Sequence, residues 1–147
     1  MRDLVERAKE LAYRAHAGQT DKAGRPYIEH VARVAAAVSD DPEAEAVAWL
    51  HDVVEDCEPF RDEVYGLMPV KLLASVLAVT RCVEFPAYVE DYYARIRLDT
   101  IALRVKMADI ADNAYEPRLA LLDDKTASRL RRKYAKARQA LQEVPDA

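Results

Sequence analysis

The 147-residue chain has little glycine and little cysteine, three of the first and two of the second. Scarce glycine and few β-branched runs, set against abundant Ala, Leu, Glu, Lys and Arg, favour helix over sheet. Cys57 and Cys82 supply neither a disulfide framework nor a CxxC metal or redox site. Apolar runs stay far below the length that crosses a bilayer. The opening MRDLVERAKE is charged from its second residue, so no signal peptide is expected there. These absences predict a cytoplasmic protein with no membrane partner. Positive charge is not in surplus: 22 Lys and Arg face 26 Asp and Glu, a net charge of −4. That balance, with no basic stripe of interleaved aromatics, gives no ground for nucleic-acid binding. A phosphate ligand remains compatible, because a local site can be basic on an acidic protein.

The residues that are present pattern as helices. At 51 % hydrophobic and 33 % charged, the chain has the balance of a folded domain rather than a disordered one. Its length suits a single domain over residues 1–147. Leu4, Ala8, Leu11, Ala12 and Ala15 form the stripe of an amphipathic helix that ends near Gly18. Ile28, Val31, Val34, Ala35 and Val38 repeat the pattern over Tyr27 to Val38. Asp41 before Pro42, with Glu43 and Glu45 in the first turn, predicts a third helix running through Trp49 and Leu50 to about Cys57. Pro59 closes it, and short helices are expected over Phe60 to Leu67 and from Pro69 to Val79. Pro86 opens a segment with Tyr88, Val89, Tyr92, Tyr93 and Ile96 at helical spacing. Asp99 or Thr100 caps a helix toward Tyr115, and Asp124 to Gln142 makes the last. The expected fold class is all-α, with no repeat or linker.

The most informative run is HDVVED, His51 to Asp56. On a continuous helix His51 stands one turn from Glu55, and Asp52 one turn from Asp56. A helix C-terminus disfavours added carboxylates, so something positive should offset them. Alone, the run also reads as a solvated acidic helix end. His30, among Ile28, Val31 and Val34, also reads as a satisfied core histidine. Asp109 projects from a helix whose neighbours Val105, Met107 and Ile110 look buried, and an interior carboxylate needs a partner. His30, His51, Asp52 and Asp109 could compensate one another by sharing a metal. Two imidazoles and two carboxylates suit Mn²⁺, Fe²⁺, Zn²⁺ or Mg²⁺.

Three segments in this order, AHAGQTDKAGRPYIEHVARVA (15–35), AWLHDVVED (48–56) and ALRVKMADIADN (102–113), resemble the HD-domain phosphohydrolase superfamily. They are most similar to the hydrolase domain of RelA/SpoT-type proteins and to small alarmone hydrolases of the stringent response. The resemblance implies an HD-domain helical bundle that removes the 3′-pyrophosphate of (p)ppGpp. It implies Mn²⁺ on His30, His51, Asp52 and Asp109, and an acid pair, Glu55 and Asp56, that orients water and handles protons. Lys22, Tyr27 and Asn113 match substrate-facing positions; Lys106 and Arg104 are candidate phosphate contacts. Lys125, Arg129, Arg131, Arg132, Lys133, Lys136 and Arg138 on the last helix read mainly as a solvated face. The sequence departs from the pattern at Asp21, where an arginine that stacks on guanine is usual, and at Asp112, where histidine is usual. Both changes leave the metal and acid positions intact and open base recognition. A phosphohydrolase acting on a nucleoside monophosphate or NADPH, and a catalytically silent nucleotide sensor, therefore stand as alternatives. Monomer and helical dimer are both compatible with the apolar content.

Overall fold

The computed structural model describes residues 1–81 and 91–142. Cys82, Tyr88 and Val89, and the start of the segment expected from Pro86, lie outside them. Helices α1 (Arg2–Ala15), α2 (Tyr27–Ala37), α3 (Pro42–Leu50), α4 (Val53–Asp56), α5 (Arg61–Leu67) and α6 (Val70–Ala78) come first. Then follow α7 (Tyr92–Arg97), α8 (Thr100–Asn113), α9 (Glu116–Leu119) and α10 (Asp124–Gln142). No strand forms among the described residues, where a single antiparallel bridge joins Thr20 to Pro26. The all-α expectation holds.

The centre is α3, whose Ala44 and Ala46 to Leu50 are buried on all sides. It packs against α1, α2, α6 and α8, and burying Val47, Trp49 and Leu50 there supplies roughly 1.5–3 kcal/mol per large apolar side chain. The Asp41 carboxylate accepts the Glu43 N–H at 3.0 Å with Pro42 in the first turn, so the helix starts where the sequence predicts. Asp99 likewise accepts the Ala102 N–H at 2.9 Å to start α8, and Ser75 of α6 donates to the same carboxylate at 2.8 Å. A second apolar cluster joins Ala78, Val79, Tyr92, Ile96, Ala102, Ile110, Ala137 and Leu141. The two clusters meet along α8, the helix that carries Asp109.

One boundary differs from expectation in a way that matters. The third helix does not run through to Cys57: it ends at Leu50, and the chain turns at His51 and Asp52 before α4. The His51 ring donates from Nδ1 to the Ala48 carbonyl at 2.6 Å, while its own N–H reaches that carbonyl only at 3.4 Å. Asp52 takes φ −110° and ψ −5°, outside the regular helix. Neighbours on a continuous helix point about 100° apart. The turn removes that restriction and lets His51 and Asp52 aim at one place.

Candidate metal centre and the cavity beside it

Three helices deliver the centre. His30 comes from α2, His51 and Asp52 from the turn between α3 and α4, and Asp109 from α8. One ligand atom from each of these four residues lies within 4.8 Å of every other. His30 Nε2 is 2.9 Å from Asp109 Oδ1, His51 Nε2 is 3.3 Å from the same oxygen, and His51 Nε2 is 3.0 Å from Asp52 Oδ2. His30, His51 and Asp109 are buried. A buried and a half-buried carboxylate face two imidazoles, so the donor set itself calls for positive charge at its centre. Without an ion, the carboxylates draw protons toward the imidazoles. Burial opposes the charge on His30, but its bonds to Asp109 and Asp112 outweigh that and raise its pKa. His51 is likewise raised well above the ordinary imidazole value, burial being overcome by Asp52 and Asp109. Against burial, His30, His51 and Lys106 hold Asp109 well below the usual carboxylate range. A divalent ion can replace those protons, and the cluster fits one.

Supporting bonds hold each ligand. The Tyr27 hydroxyl donates to Asp52 Oδ2. Lys106 Nζ donates to Asp109 Oδ2 at 3.0 Å, and Asn113 Nδ2 to Asp109 Oδ1 at 3.1 Å. Tyr27, Lys106 and Asn113, expected to meet substrate, thus also brace the carboxylates of the centre. All three line a cavity of about 380 Å³ together with Lys22, Glu55 and Asp56. Lys22 stands in a tight loop that Asp21 builds: its Oδ1 accepts the N–H groups of Ala23 and Arg25, each at 2.9 Å. Gly24 closes this loop at φ +83°, a conformation that suits glycine.

Glu55 and Asp56 follow Asp52 along the cavity wall, and these three carboxylates also come within 4.8 Å of one another. The Glu55 Oε1 accepts the Arg81 backbone N–H at 2.6 Å. Loss of water on the wall, then repulsion from Asp52 and Glu55, pushes the Asp56 carboxyl up to about 6. Glu55 is also raised, by burial first, with the Arg81 N–H opposing.

The cavity adds residues that sequence reasoning missed. Arg81 lines it and lies 4.6 Å above the Tyr92 ring, and Lys106 approaches the same ring at 5.5 Å. Arg118 and Tyr134 line the cavity as well, with Leu119, Leu122 and Leu130. Arg81 carried no signal, since nothing local in VTRCV marks a site. Two expectations do not hold. Arg104 is not at the cavity: it pairs with Asp40 at the surface. Asp112, read from the sequence as opening base recognition, does not line the cavity; its Oδ2 accepts from His30 Nδ1 at 2.6 Å instead. Its spacing of three from Asp109 was the available clue, since both then lie on neighbouring faces of α8. Among the α10 cations, Lys133 reaches the cavity, while Arg131 pairs with Glu116 at 2.9 Å.

No protein-family model matches the chain. Among curated proteins, 118 residues are 31 % identical to a guanosine-3′,5′-bis(diphosphate) 3′-pyrophosphohydrolase of Haemophilus influenzae, covering 74 % of this chain and 17 % of that protein. A probable protein of the same name from Synechocystis sp. is 36 % identical over 85 residues, 56 % of this chain and 11 % of the relative. A GTP pyrophosphokinase of Streptomyces coelicolor is 44 % identical over 66 residues, 43 % of this chain and 7 % of the relative. The chain thus spans less than a fifth of the length of these relatives. Among solved structures, a metazoan ortholog of SpoT, described as hydrolyzing ppGpp and playing a role in starvation responses, superposes with a TM-score of 0.78. That match covers 95 % of this chain and 85 % of the other at 21 % identity, and it establishes the fold. The chain is therefore related in sequence to RelA/SpoT-type proteins and is built as the all-α bundle of a SpoT ortholog.

Proposed function

We propose that this chain is a metal-dependent phosphohydrolase that removes the 3′-pyrophosphate of (p)ppGpp, with Mn²⁺ as the ion. The observation that carries the reading is the convergence of His30, His51, Asp52 and Asp109 within 4.8 Å, beside a second carboxylate group at Glu55 and Asp56. The named relatives supply the substrate class, as guanosine 3′,5′-bis(diphosphate). When bound, the ion would supply Lewis acidity toward the phosphoryl oxygens and the attacking water.

The chain's own residues do the rest. Lys22, Arg81, Lys106 and Lys133 give the cavity wall the positive charge that a polyphosphate needs. Tyr134, partly exposed on the wall, offers a face for packing the nucleoside. Hydrolysis adds water to the phosphorus carried by the 3′-oxygen and breaks the bond between them. Pyrophosphate leaves, GDP or GTP remains, and one proton of the water is accounted for at the 3′-oxygen. Glu55 and Asp56 are the groups able to take and return that proton. An Asp56 carboxyl near 6 exchanges a proton readily around neutral pH.

The deciding experiment incubates Mn²⁺-loaded protein with ppGpp, pppGpp, GTP, a nucleoside monophosphate and NADPH, and identifies the products. Pyrophosphate with GDP from ppGpp is expected. Folded, metal-loaded protein inert toward ppGpp overturns the reading. Product from NADPH or the monophosphate alone moves the activity to another nucleotide, an outcome that Asp21 motivates, because its carboxylate is committed to its own loop. Nucleotide binding without product at high protein concentration would leave a sensor.

A further inference from the structure

The two histidines of the centre are held by different devices. Each presents Nε2 to the carboxylates, so each must carry its proton on Nδ1 when Nε2 serves as a ligand. For His51 the acceptor of that proton is a backbone carbonyl, Ala48 O, at 2.6 Å. For His30 it is the carboxylate of Asp112, Oδ2, also at 2.6 Å. Asp112 is itself gripped from two sides. Arg33 of α2 donates from Nε to Oδ1 at 2.7 Å and from Nη2 to Oδ2 at 3.1 Å. Arg118 of α9 places Nη2 3.0 Å from Oδ1 and donates to the Asp112 backbone carbonyl. The Asp112 side chain is 13 % exposed, against 40 % for Arg33. An ion pair serving the surface alone would need no imidazole in its middle.

We infer that Asp112 is a positioning residue for His30: anchored by Arg33 and Arg118, it holds the ring proton on Nδ1 and leaves Nε2 for the metal. A carboxylate behind a ligating histidine fixes both the tautomer and the ring orientation, and makes the ring a better donor. The inference rests on the four residues being metal ligands, and it assigns work to a position that otherwise reads as a departure in the base pocket. It also gives Arg33 and Arg118 a role at a distance. They hold the carboxylate in place, and neither is among the four residues that would hold the ion.

Asp112→Asn and Asp112→Ala separate this from an ordinary ion pair. Guanidinium groups only donate, so in Asp112→Asn the amide oxygen stays with Arg33 and Arg118. The amide NH₂ then faces His30 Nδ1 and selects the tautomer with its proton on Nε2, which cannot ligate. The shape-conserving Asn is therefore expected to weaken Zn²⁺ binding about 10- to 100-fold by calorimetry, at least as much as Ala does. A plain ion pair would make Asn the milder change. Circular dichroism establishes that each variant is folded. In Zn²⁺-loaded wild type, long-range ¹H–¹⁵N spectra are expected to place the His30 ring proton on Nδ1, a readout that needs no variant. Wild-type affinity in Asp112→Asn, or a His30 proton on Nε2 in the loaded wild type, overturns the inference. Failure of wild type to bind Zn²⁺ at all overturns the ligand assignment beneath it.

Discussion

All three histidines of the chain are buried, yet the protein treats them as two kinds. His30 and His51 stand among Asp52, Asp109 and Asp112, and both are raised in pKa against the cost of burial. His16, at the end of α1, has no carboxylate in hydrogen-bonding contact among the described residues. Its Nδ1 donates to the Gln19 side-chain oxygen at 2.8 Å, the Cys57 sulfur lies 3.6 Å from the same nitrogen, and Nε2 has no hydrogen-bond partner among the described residues. Burial lowers its pKa. Continuity does not explain the contrast, because the rings form a chain: His16 to Tyr27 at 5.1 Å, Tyr27 to His30 at 5.3 Å, His30 to His51 at 5.6 Å. The difference lies in what faces the nitrogens. A buried histidine becomes a candidate ligand when carboxylates converge on it, and a neutral core residue when they do not.

The sharpest way to break this distinction is to remove one member of each kind. His51→Gln is expected to abolish metal binding and turnover of ppGpp, whereas His16→Gln retains both. Within the centre, Glu55→Gln and Asp56→Asn are expected to keep the ion and lower kcat by about 10²- to 10⁴-fold, the range for a lost acid–base group. Calorimetry with Mn²⁺ alongside steady-state rates separates the two losses. Wild-type turnover in both acid variants would remove the acid pair from the reaction.

How far the sequence could foresee this division follows from where each signal lies. Amphipathic spacing and the caps at Asp41 and Asp99 are local, so α1, α2 and the starts of α3 and α8 were legible. That His30, His51, Asp52 and Asp109 come together was legible because imidazoles and carboxylates on apolar faces are each costly alone. The turn at His51 was not, since it depends on a ring nitrogen bonding the Ala48 carbonyl rather than on any breaker residue. Arg81 and Arg118 reach the cavity only through tertiary packing. Asp112 was noticed for differing from the usual residue, while its bond to His30 crosses 82 positions in sequence.

A second, smaller effect tests the pair of sites through stability. An ion that binds only the folded chain stabilises it by about 2.7 kcal/mol at 100 times Kd. Chelation should therefore lower the unfolding midpoint of wild type and of His16→Gln alike. His51→Gln should show no further drop on chelation. A chelation-sensitive midpoint in His51→Gln would place the ion elsewhere.

The smallest effect isolates His16 by its sign. Its pKa is lowered in the folded protein, so between the folded value and the ordinary imidazole value of about 6.5 the unfolded chain binds the proton better. Its stabilising contribution is present above that ordinary value and is lost as pH falls toward the folded one. The loss is limited to one proton, about 1.4 kcal/mol per pH unit at most. Other groups titrate over the same range, but they cancel in the difference between wild type and His16→Gln. Urea unfolding at pH 7.5 and 5.5 should thus find that wild type loses more stability than the glutamine variant. Equal losses would mean that His16 takes up its proton without resistance, and that its surroundings differ less from those of His30 than the absence of a carboxylate implies.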